Sequence, residues 1–275
     1  MYLLGIESST KKLSIAISSS SSVKGRIAVL SEKGFMKNII FLVDRLFRKT
    51  GLNLDAVDGF CVNTGPGDFT GTRIGLSIAK TFSMIEEKPL YGIDSLDIFA
   101  VQVLALNAAR IYKMLSAFSG KCNILIVPVI DVRRGELFFS IYVAGVFFTS
   151  ETESVCSVRI CNMEIFVTRI SGNHLVEYEK FPLFLERVLM SENLTMLSRQ
   201  KSAIFLSGTA FDSYGHLYDD LLKLKYSFFL DKKSFLPEAE YLNLCAFFKI
   251  LSGSPHQKRV VPYYVREFLP SGGKQ

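Results

Sequence analysis

The chain has 275 residues, of which 49% are hydrophobic and 21% charged, and its 32 basic and 26 acidic side chains give a net charge of +6. This composition excludes a disordered, collagen-like or small disulfide-bonded protein, because it supplies enough apolar residues for a large core. Five cysteines without a CxxC pair favour buried, reduced thiols and a cytoplasmic protein.

No membrane segment or leader is predicted from the apolar runs. The longest runs, Ile124–Ile130 and Leu137–Phe148, are shorter than the roughly 20 residues that a spanning helix needs. Leu3–Ile6 is apolar, but no basic residue precedes it, so we expect no signal peptide. Basic pairs such as Arg133-Arg134 are scattered along the chain, which favours solvated surface charge over a nucleic-acid-binding tail.

The first part of the chain predicts three strands followed by a helix. Tyr2–Ile6 and Leu13–Ile17 flank a polar turn, which predicts a hairpin. Arg26–Leu30 predicts a third strand after the flexible serine-rich loop Ser18–Ser22. Apolar residues at helical spacing predict a helix over Gly34–Lys49 that ends near Thr50-Gly51.

A glycine-rich stretch, Gly65–Gly71, joins the predicted strand Val57–Val62 to a predicted helix over Arg73–Ile85. Three glycines and a proline predict a tight turn or a close approach of the backbone. One interpretation is an anion held at the helix N-terminus. The other, a turn that packs the helix on the sheet, is favoured because the spacing matches neither the P-loop nor the Rossmann pattern.

The middle of the chain repeats the plan of the first hairpin: a strand, an acidic residue at its end, a polar turn and a second strand. This repeat lies in Ile124–Ile130 and Leu137–Val143, whereas residues 150–200 show no clear pattern. The remaining predicted elements are the strand Leu90–Ile93, the long helix Leu96–Leu115, the strand Ala203–Leu206 and the helix Pro237–Leu251.

Glu7 and Asp131 each end a predicted strand, ahead of a turn that contains hydroxyl groups or glycine. Sugar kinases and actin-like proteins hold phosphate and magnesium at such turns, whereas an exposed turn carboxylate is the simpler interpretation. His174, His216 and His256 lack the spacing of a paired metal site, and no GxSxG motif is present. We therefore expect no metal site.

Five blocks of residues resemble, in the same order, the TsaB (YeaZ) family of glycoprotease-like tRNA threonylcarbamoyladenosine biosynthesis proteins. Thr64–Leu76 resembles the family's GPGSFTG-x-R-I-G signature, with Asp68 in place of serine, and Ile130–Glu136 resembles its IDAR-x-GE turn. The other blocks are Leu3–Thr10, Ser207–Thr209 and Pro262–Arg266.

The resemblance implies an α/β fold of the actin-like, Hsp70-like (ASKHA) class, with two pseudo-repeated lobes that are each a mixed sheet flanked by helices. We expect the first lobe over residues 1–115, with residues 236–275 packing back on it, and the second over 116–235. Nucleotide or phosphate turns that have lost their original role are expected at Glu7, Gly65, Gly67, Gly71, Asp131 and Gly208. Thr209 follows Gly208 where active members carry a second glycine, which argues against a working ATPase.

The resemblance also implies a non-catalytic scaffold that supports the threonylcarbamoyltransferase TsaD, which modifies adenosine 37 of tRNA. Further implied are the ATPase TsaE, ATP or ADP at the interface of the complex, tRNA contacts through the complex, and a homodimer when the chain is alone. No cofactor of its own is expected.

The partner interface is predicted on the two helices Gly34–Lys49 and Arg73–Ile85. The apolar residues of these helices extend around more of each helix than one sheet face can cover: Ile40, Phe41, Phe47 and Leu76 lie beyond the main apolar stripes. The alternative to a partner interface is that these four residues face the second lobe. The interface residues predicted are Phe35, Ile39, Leu42, Leu46, Arg73, Ile74, Ile78 and Phe82.

An enzymatic alternative remains open at this stage. A nucleotide-dependent phosphotransferase or hydrolase would use Glu7, Asp131 and the Gly65–Gly71 loop. A peptidase has no support, because the sequence has no motif for a nucleophile or a metal.

Overall fold

The computed structural model describes residues 1–30, 38–117, 122–146, 154–160, 163–191, 201–253 and 259–265. The strands are β1 (Tyr2–Glu7), β2 (Lys12–Ser19), β3 (Val23–Leu30), β4 (Gly59–Gly65), β5 (Leu90–Asp94), β6 (Cys122–Asp131), β7 (Glu136–Phe139), β8 (Tyr142–Gly145), β9 (Ser154–Ile160), β10 (Met163–Arg169), β11 (His174–Glu177), β12 (Lys201–Ser207) and β13 (Ser227–Leu230). The helices are α1 (Ile39–Thr50), α2 (Phe69–Ile85), α3 (Ser95–Ala117), α4 (Phe181–Leu189), α5 (Ala210–Ser213), α6 (Leu217–Leu221) and α7 (Ala239–Leu251).

The first sheet has the strand order β3-β2-β1-β4-β5. Strands β1, β2 and β3 form antiparallel pairs, whereas β4 pairs in parallel with β1 and with β5. Parallel pairs need crossover connections. Helix α2 connects β4 to β5, and α1 lies in the connection that leads to β4. The central strand β1 is buried over Leu3–Glu7, because helices cover both faces of the sheet.

The second sheet contains the same five-strand plan, in the order β10-β8-β6-β12-β13. Strand β6 pairs in antiparallel fashion with β8 and in parallel with β12, as β1 does with β2 and β4. Strand β9 extends this plan at the edge strand β10, whereas β7 pairs with the end of the central strand β6 and with β11. The predicted α/β fold of the actin-like class, with two mixed sheets flanked by helices, is confirmed. The lobe boundaries at 115 and 235 stay a prediction.

Three apolar clusters define the layers of the molecule. Helices α1 and α2 pack on one face of the first sheet. The other face shares a cluster with the second sheet, and helices α3 and α7 lie in that cluster. Helices α4, α5 and α6 cover the far face of the second sheet. The helix pair α3 and α7 therefore joins the two sheets through one continuous core.

Helix α3 meets the length and composition of a membrane span, which the uninterrupted apolar runs of the sequence did not indicate. By its 23 residues and its composition it could cross a membrane, although half of its apolar stretch is buried inside the protein. Asp97, Gln102 and Arg110 interrupt its apolar runs, so a search for uninterrupted runs missed it. Its buried side chains, including Phe99 and Leu104, pack between the sheets, as those of a core helix do.

Most predicted elements are present, with shifted ends. The helix predicted from Gly34 begins at Ile39, and residues 31–37, including Phe35, lie outside the described residues. It ends as predicted at Gly51, whose φ of +69° suits glycine. The strand predicted over Leu137–Val143 is two strands, β7 and β8, which separate at Ser140-Ile141. The sequence prediction also left out β13, α5 and α6.

Candidate functional site

The glycine-rich loop does join β4 to α2, as predicted, but its own residues fill the helix N-terminus. Asp68 is the N-cap of α2, and its Oδ1 accepts a hydrogen bond of 2.7 Å from the N–H of Gly71. The carboxylate thus stabilises the positive end of the helix dipole, where a bound anion would otherwise lie. Serine and aspartate are both good N-caps, so aspartate suits the position at which the family signature has serine.

The glycines of this loop allow a close approach between α2 and the turn after β1. A Cβ on Gly67 would lie 2.4 Å from the carbonyl oxygen of Ser9, and the N–H of Asp68 donates to that oxygen at 2.6 Å. A Cβ on Gly75 would lie 2.2 Å from Ser8 Oγ. Close packing therefore accounts for Gly67 and for Gly75 further along α2, which supports the interpretation of the loop as a structural turn.

Glu7 is buried and satisfied by hydrogen bonds. Its Oε1 accepts from the N–H and the hydroxyl of Ser9, both at 2.7 Å, and its Oε2 accepts from Asn63 Nδ2 at 2.5 Å. Burial raises the pKa of the Glu7 carboxyl, and the hydrogen bonds from Ser9 and Asn63 oppose that rise. The expectation of an exposed turn carboxylate is wrong, because the side chain is 0% exposed and has no open side toward a ligand.

A cleft of about 880 Å³ lies between the first-sheet turns and the second-sheet turns. Of the six residues predicted to form nucleotide turns, Gly67 and Asp131 line it, whereas Glu7, Gly65, Gly71 and Gly208 do not. Gly208 has a φ of +109°, and a Cβ there would lie 2.2 Å from the carbonyl oxygen of Val129. Its role in this structure is therefore the close packing of β12 against β6.

Thr209 connects the late glycine turn to Asp131. The backbone N–H of Asp131 donates to Thr209 Oγ1 at 3.0 Å, and both residues line the cleft. Across the cleft, Lys11 forms an ion pair with Asp212. Sequence reasoning missed this pair, because its two residues are 201 positions apart.

A second cleft, of about 520 Å³, contains a charged cluster that the sequence analysis also missed. Arg169 Nη2 donates to Asp97 Oδ1 at 2.6 Å and lies 3.4 Å from Asp94 Oδ1. Tyr142 donates its hydroxyl to the same Asp97 oxygen at 2.8 Å. Burial and the neighbouring Asp97 carboxylate raise the pKa of Asp94 to about 6, although Arg169 lowers it.

The predicted interface residues divide into core and surface groups. Ile39, Leu42 and Leu46 are 0–5% exposed and pack in the core of their own lobe, so their assignment to a partner interface is wrong. They form the apolar stripe of α1, and that stripe faces the sheet. The prediction that Leu76 lies beyond the stripe of α2 is also wrong, since it is 7% exposed.

Ile74, Ile78 and Phe82 are half-buried at the edge of the same core, so their interface role stays a prediction. Phe47 is half-buried as well, whereas Ile40 and Phe41, beyond the stripe of α1, are 54% and 64% exposed.

Arg73 binds two aromatic residues of its own chain. Its guanidinium lies 3.7 Å from the centre of the Phe69 ring, and Nε donates to the hydroxyl of Tyr264 at 2.6 Å. The N–H of Tyr263 donates to the carbonyl of Thr64 at 2.7 Å, which ties the segment 259–265 to the end of β4.

Within the described ranges, no group of three or more His, Cys, Asp or Glu side chains could hold a metal ion.

The two repeated sheets and the cleft between their turns define a two-lobed, actin-like α/β protein. Residues 14–132 match the family model described as TsaD: tRNA N6-adenosine threonylcarbamoyltransferase. The chain is 26% identical over 181 residues to the tRNA threonylcarbamoyladenosine biosynthesis protein TsaB of Haemophilus influenzae, covering 63% of this chain and 70% of that protein.

The TsaB of Bacillus subtilis is 28% identical over 142 residues, which cover 52% of this chain and 55% of the relative. YeaZ from Pseudomonas aeruginosa has a similar structure, with a TM-score of 0.67 at 18% identity, covering 96% of this chain and 99% of that chain. The predicted resemblance to TsaB is confirmed.

Proposed function

We propose that this chain is a non-catalytic scaffold or activator subunit of the bacterial enzymes that make N6-threonylcarbamoyladenosine at position 37 of tRNA. Its direct partner is the transferase TsaD, and TsaE joins the same complex. The similarity to proteins named TsaB supports the pathway. The observation that carries the scaffold role is the exposed apolar surface of the first lobe.

The exposed apolar side chains near the start of α1 and at the end of α2 are here called the outer-helix surface. Ile40 and Phe41 on α1 are 54% and 64% exposed, and Met84 and Ile85 at the end of α2 are 70% and 68% exposed. Covering large apolar side chains with a partner lowers the free energy of the complex, and exposed apolar surfaces of this kind mark protein interfaces. Asp44, Arg45 and Arg48 on α1 are exposed and supply a polar rim.

The buried state of Glu7 weighs against the enzymatic alternative. A phosphotransferase would need this carboxylate to reach magnesium or a reacting oxygen, but Ser9 and Asn63 already occupy both of its oxygens. Asp68 in turn occupies the α2 N-terminus, where such an enzyme would hold phosphate. We therefore expect negligible ATP turnover by the purified chain. A robust turnover that Glu7→Ala abolishes would contradict the scaffold role.

The interface is tested with Phe41→Glu and Ile85→Glu. A charge buried in an apolar interface should weaken binding to TsaD by about 30-fold or more, or about 2 kcal/mol. Leu183→Glu on α4 is the matched control, because Leu183 is 71% exposed on the far side of the second sheet. Co-elution and isothermal titration check the result, with circular dichroism to verify the fold.

Equal binding by all three variants would contradict the outer-helix surface as the interface. The same two variants should also abolish the homodimer that the chain forms without TsaD.

Reconstitution with TsaD, TsaE and the adenylate-forming enzyme tests the pathway itself. Equal yields of modified tRNA with and without this chain would contradict the proposed function.

A further inference from the structure

The second cleft, of about 520 Å³, brings four charged side chains together where the two sheets meet. Asp94 ends β5, Asp97 lies in the first turn of α3, and Arg169 ends β10. Lys249 comes from the last turn of α7. No residue of the outer-helix surface lines this cleft, so the proposed scaffold role gives these charges no task.

Two of the four charges are satisfied by each other. Arg169 Nη2 donates to Asp97 Oδ1 at 2.6 Å, and the Tyr142 hydroxyl donates to the same oxygen at 2.8 Å. The other terminal nitrogen of Arg169, Nη1, donates to Asn173 Oδ1 at 3.0 Å. The pair of Arg169 and Asp97 therefore needs no ligand to balance its charges.

Lys249 is a half-buried cation without a counter-charge. Its side chain lines the cleft, and among the described residues its ammonium group has no hydrogen-bond or ion-pair partner. Two other half-buried lysines, Lys12 and Lys88, form ion pairs with Glu238 and Glu86. Partial burial removes hydration from an ammonium group, so an anion in the cleft would restore a favourable contact.

Asp94 provides a carboxylate that can accept a further donor. It caps the start of α3 by accepting from the N–H groups of Leu96, at 2.7 Å, and Asp97, and its Oδ1 lies 3.4 Å from Arg169 Nη2. A carboxylate has about four acceptor positions, and these contacts do not fill them all. The side chain is 25% exposed and lines the cleft.

The charge of Asp94 also costs the folded chain stability. Burial and the neighbouring Asp97 raise the pKa of this carboxyl, so the ionised form is less favourable in the folded state than in the unfolded chain. An ionisable group that is kept in a cleft under these conditions is typical of a binding site.

The two uncommitted charges have opposite signs, and this limits the class of ligand. A metal ion would meet the positive charges of Lys249 and Arg169, whereas a simple anion would meet the negative charge of Asp94. A small molecule with one cationic and one anionic group satisfies both Asp94 and Lys249.

We propose that this cleft binds a free amino acid, with its ammonium group at Asp94 and its carboxylate at Lys249. The volume of about 520 Å³ lies within the roughly 300–1,000 Å³ that is usual for small-molecule pockets. The rest of the lining can receive the ligand's side chain, since it offers two hydroxyl groups and two apolar side chains: Ser154, Ser171, Val155 and Ile170.

The test is isothermal titration of the full chain with each of the common L-amino acids at neutral pH. A ligand of this size is expected to bind with a Kd of about 1 mM or below, so titration up to about 10 mM detects it. The amino acid that binds most tightly is then compared with its N-acetyl derivative, which lacks the positive charge, and its methyl ester, which lacks the negative charge.

Asp94→Asn and Lys249→Gln remove the two charges of the cleft one at a time. Asp219→Asn and Lys225→Gln are the matched controls, because both residues are exposed and lie outside the cleft. Each cleft variant should weaken binding about tenfold or more, since it loses a hydrogen bond between charged groups, and the controls should bind as the natural chain does.

The derivatives show which group of the ligand meets which residue. On the natural chain, both derivatives should bind about tenfold or more weakly than the amino acid. Asp94→Asn should remove most of the penalty for N-acetylation but not the penalty for esterification, and Lys249→Gln should do the reverse. The comparison on the natural chain stands even if a variant does not fold, which circular dichroism checks.

Absence of binding by every amino acid would overturn the inference, and so would equal binding by the cleft variants and their controls. An N-acetyl derivative that binds the natural chain as tightly as its parent would show that the cleft takes a simple anion, and the assignment to amino acids would be wrong. Binding to TsaD is measured in parallel. If TsaD binds and no amino acid does, the proposed function stands and this inference alone fails.

Discussion

At the scale of single residues, the carboxyl of Asp94 couples the stability of the fold to pH. Its pKa is about 6 in the folded chain, above the 3.8 of an unperturbed aspartate, because burial and Asp97 disfavour its charge more than Arg169 stabilises it. Between these two values the folded state holds a proton that the unfolded state has lost. The contribution of Asp94 to the free energy of unfolding is therefore largest below about pH 4 and is lost as the pH rises through 6.

We predict that Asp94→Asn removes this loss. The asparagine oxygen can still accept from the N–H of Leu96, a hydrogen bond of 2.7 Å that begins α3. At pH 8 the variant should be more stable than the natural chain by on the order of 3 kcal/mol, with the difference vanishing near pH 4. Urea unfolding between pH 4 and 8 measures this, and parallel pH profiles would contradict it.

The sequence could indicate the glycines of the site but not this charged cluster. Gly65, Gly67 and Gly71 stand between a strand and a helix, and that local pattern predicts a tight approach of the backbone. Asp94 and Arg169 are 75 positions apart, and Arg169 comes from a region without a clear pattern. Their contact depends on how β10 pairs in the second sheet, which no local signal encodes.

At the scale of elements, helix α2 depends on its N-cap. Asp68→Ala should destabilise the chain by about 1 kcal/mol, because the N–H of Gly71 loses its acceptor and the helix dipole loses a negative charge. Asp68→Ser should restore most of the loss, since serine also caps well. Thermal unfolding compares the two variants; a serine variant as unstable as the alanine variant would contradict the cap.

Helical spacing located α1 but misassigned its surfaces. The regular apolar positions Ile39, Leu42 and Leu46 define the stripe that packs on the first sheet, so they are core residues. The exposed Ile40 and Phe41 fall between the stripe positions. An interface is therefore better sought among apolar residues that break the helical period than among those that create it.

At the scale of the whole molecule, Asn243 on α7 fastens the helix to the first sheet. Its Nδ2 donates to the carbonyl of Leu3 at 3.3 Å, to the carbonyl of Ala16 at 3.1 Å and to Ser18 Oγ at 3.1 Å. The side chain is 0% exposed and lies against Gly5. This amide thus bridges the two central antiparallel strands, β1 and β2.

We predict that Asn243→Leu destabilises the chain by about 3 kcal/mol, although leucine has a similar volume. The carbonyls of Leu3 and Ala16 would lose the amide donor inside the core, and an unmet buried polar group costs about 1–3 kcal/mol. Urea unfolding measures the effect. Asn53→Leu, at an exposed turn, is the control and should cost less.

The whole fold was predicted better than its details, because the repeated hairpin plan and the family motifs both lie in strands and turns with strong local patterns. Ile124–Ile130 and its turn indicated a second sheet equivalent to the first. The packing of α3 between the sheets was not predicted, since polar residues such as Asp97 and Gln102 interrupt the apolar pattern of its faces.

The contact between Asn243 and Leu3 also limits how early during synthesis the first sheet can complete its packing. The two residues are 240 positions apart, so the first strand cannot meet its last packing partner until nearly the whole chain has left the ribosome. Until then the face of β1 that α7 covers is open. Contacts between such distant positions slow folding, and a nascent chain of this protein would therefore spend its synthesis with an uncovered apolar sheet, a natural target for chaperones.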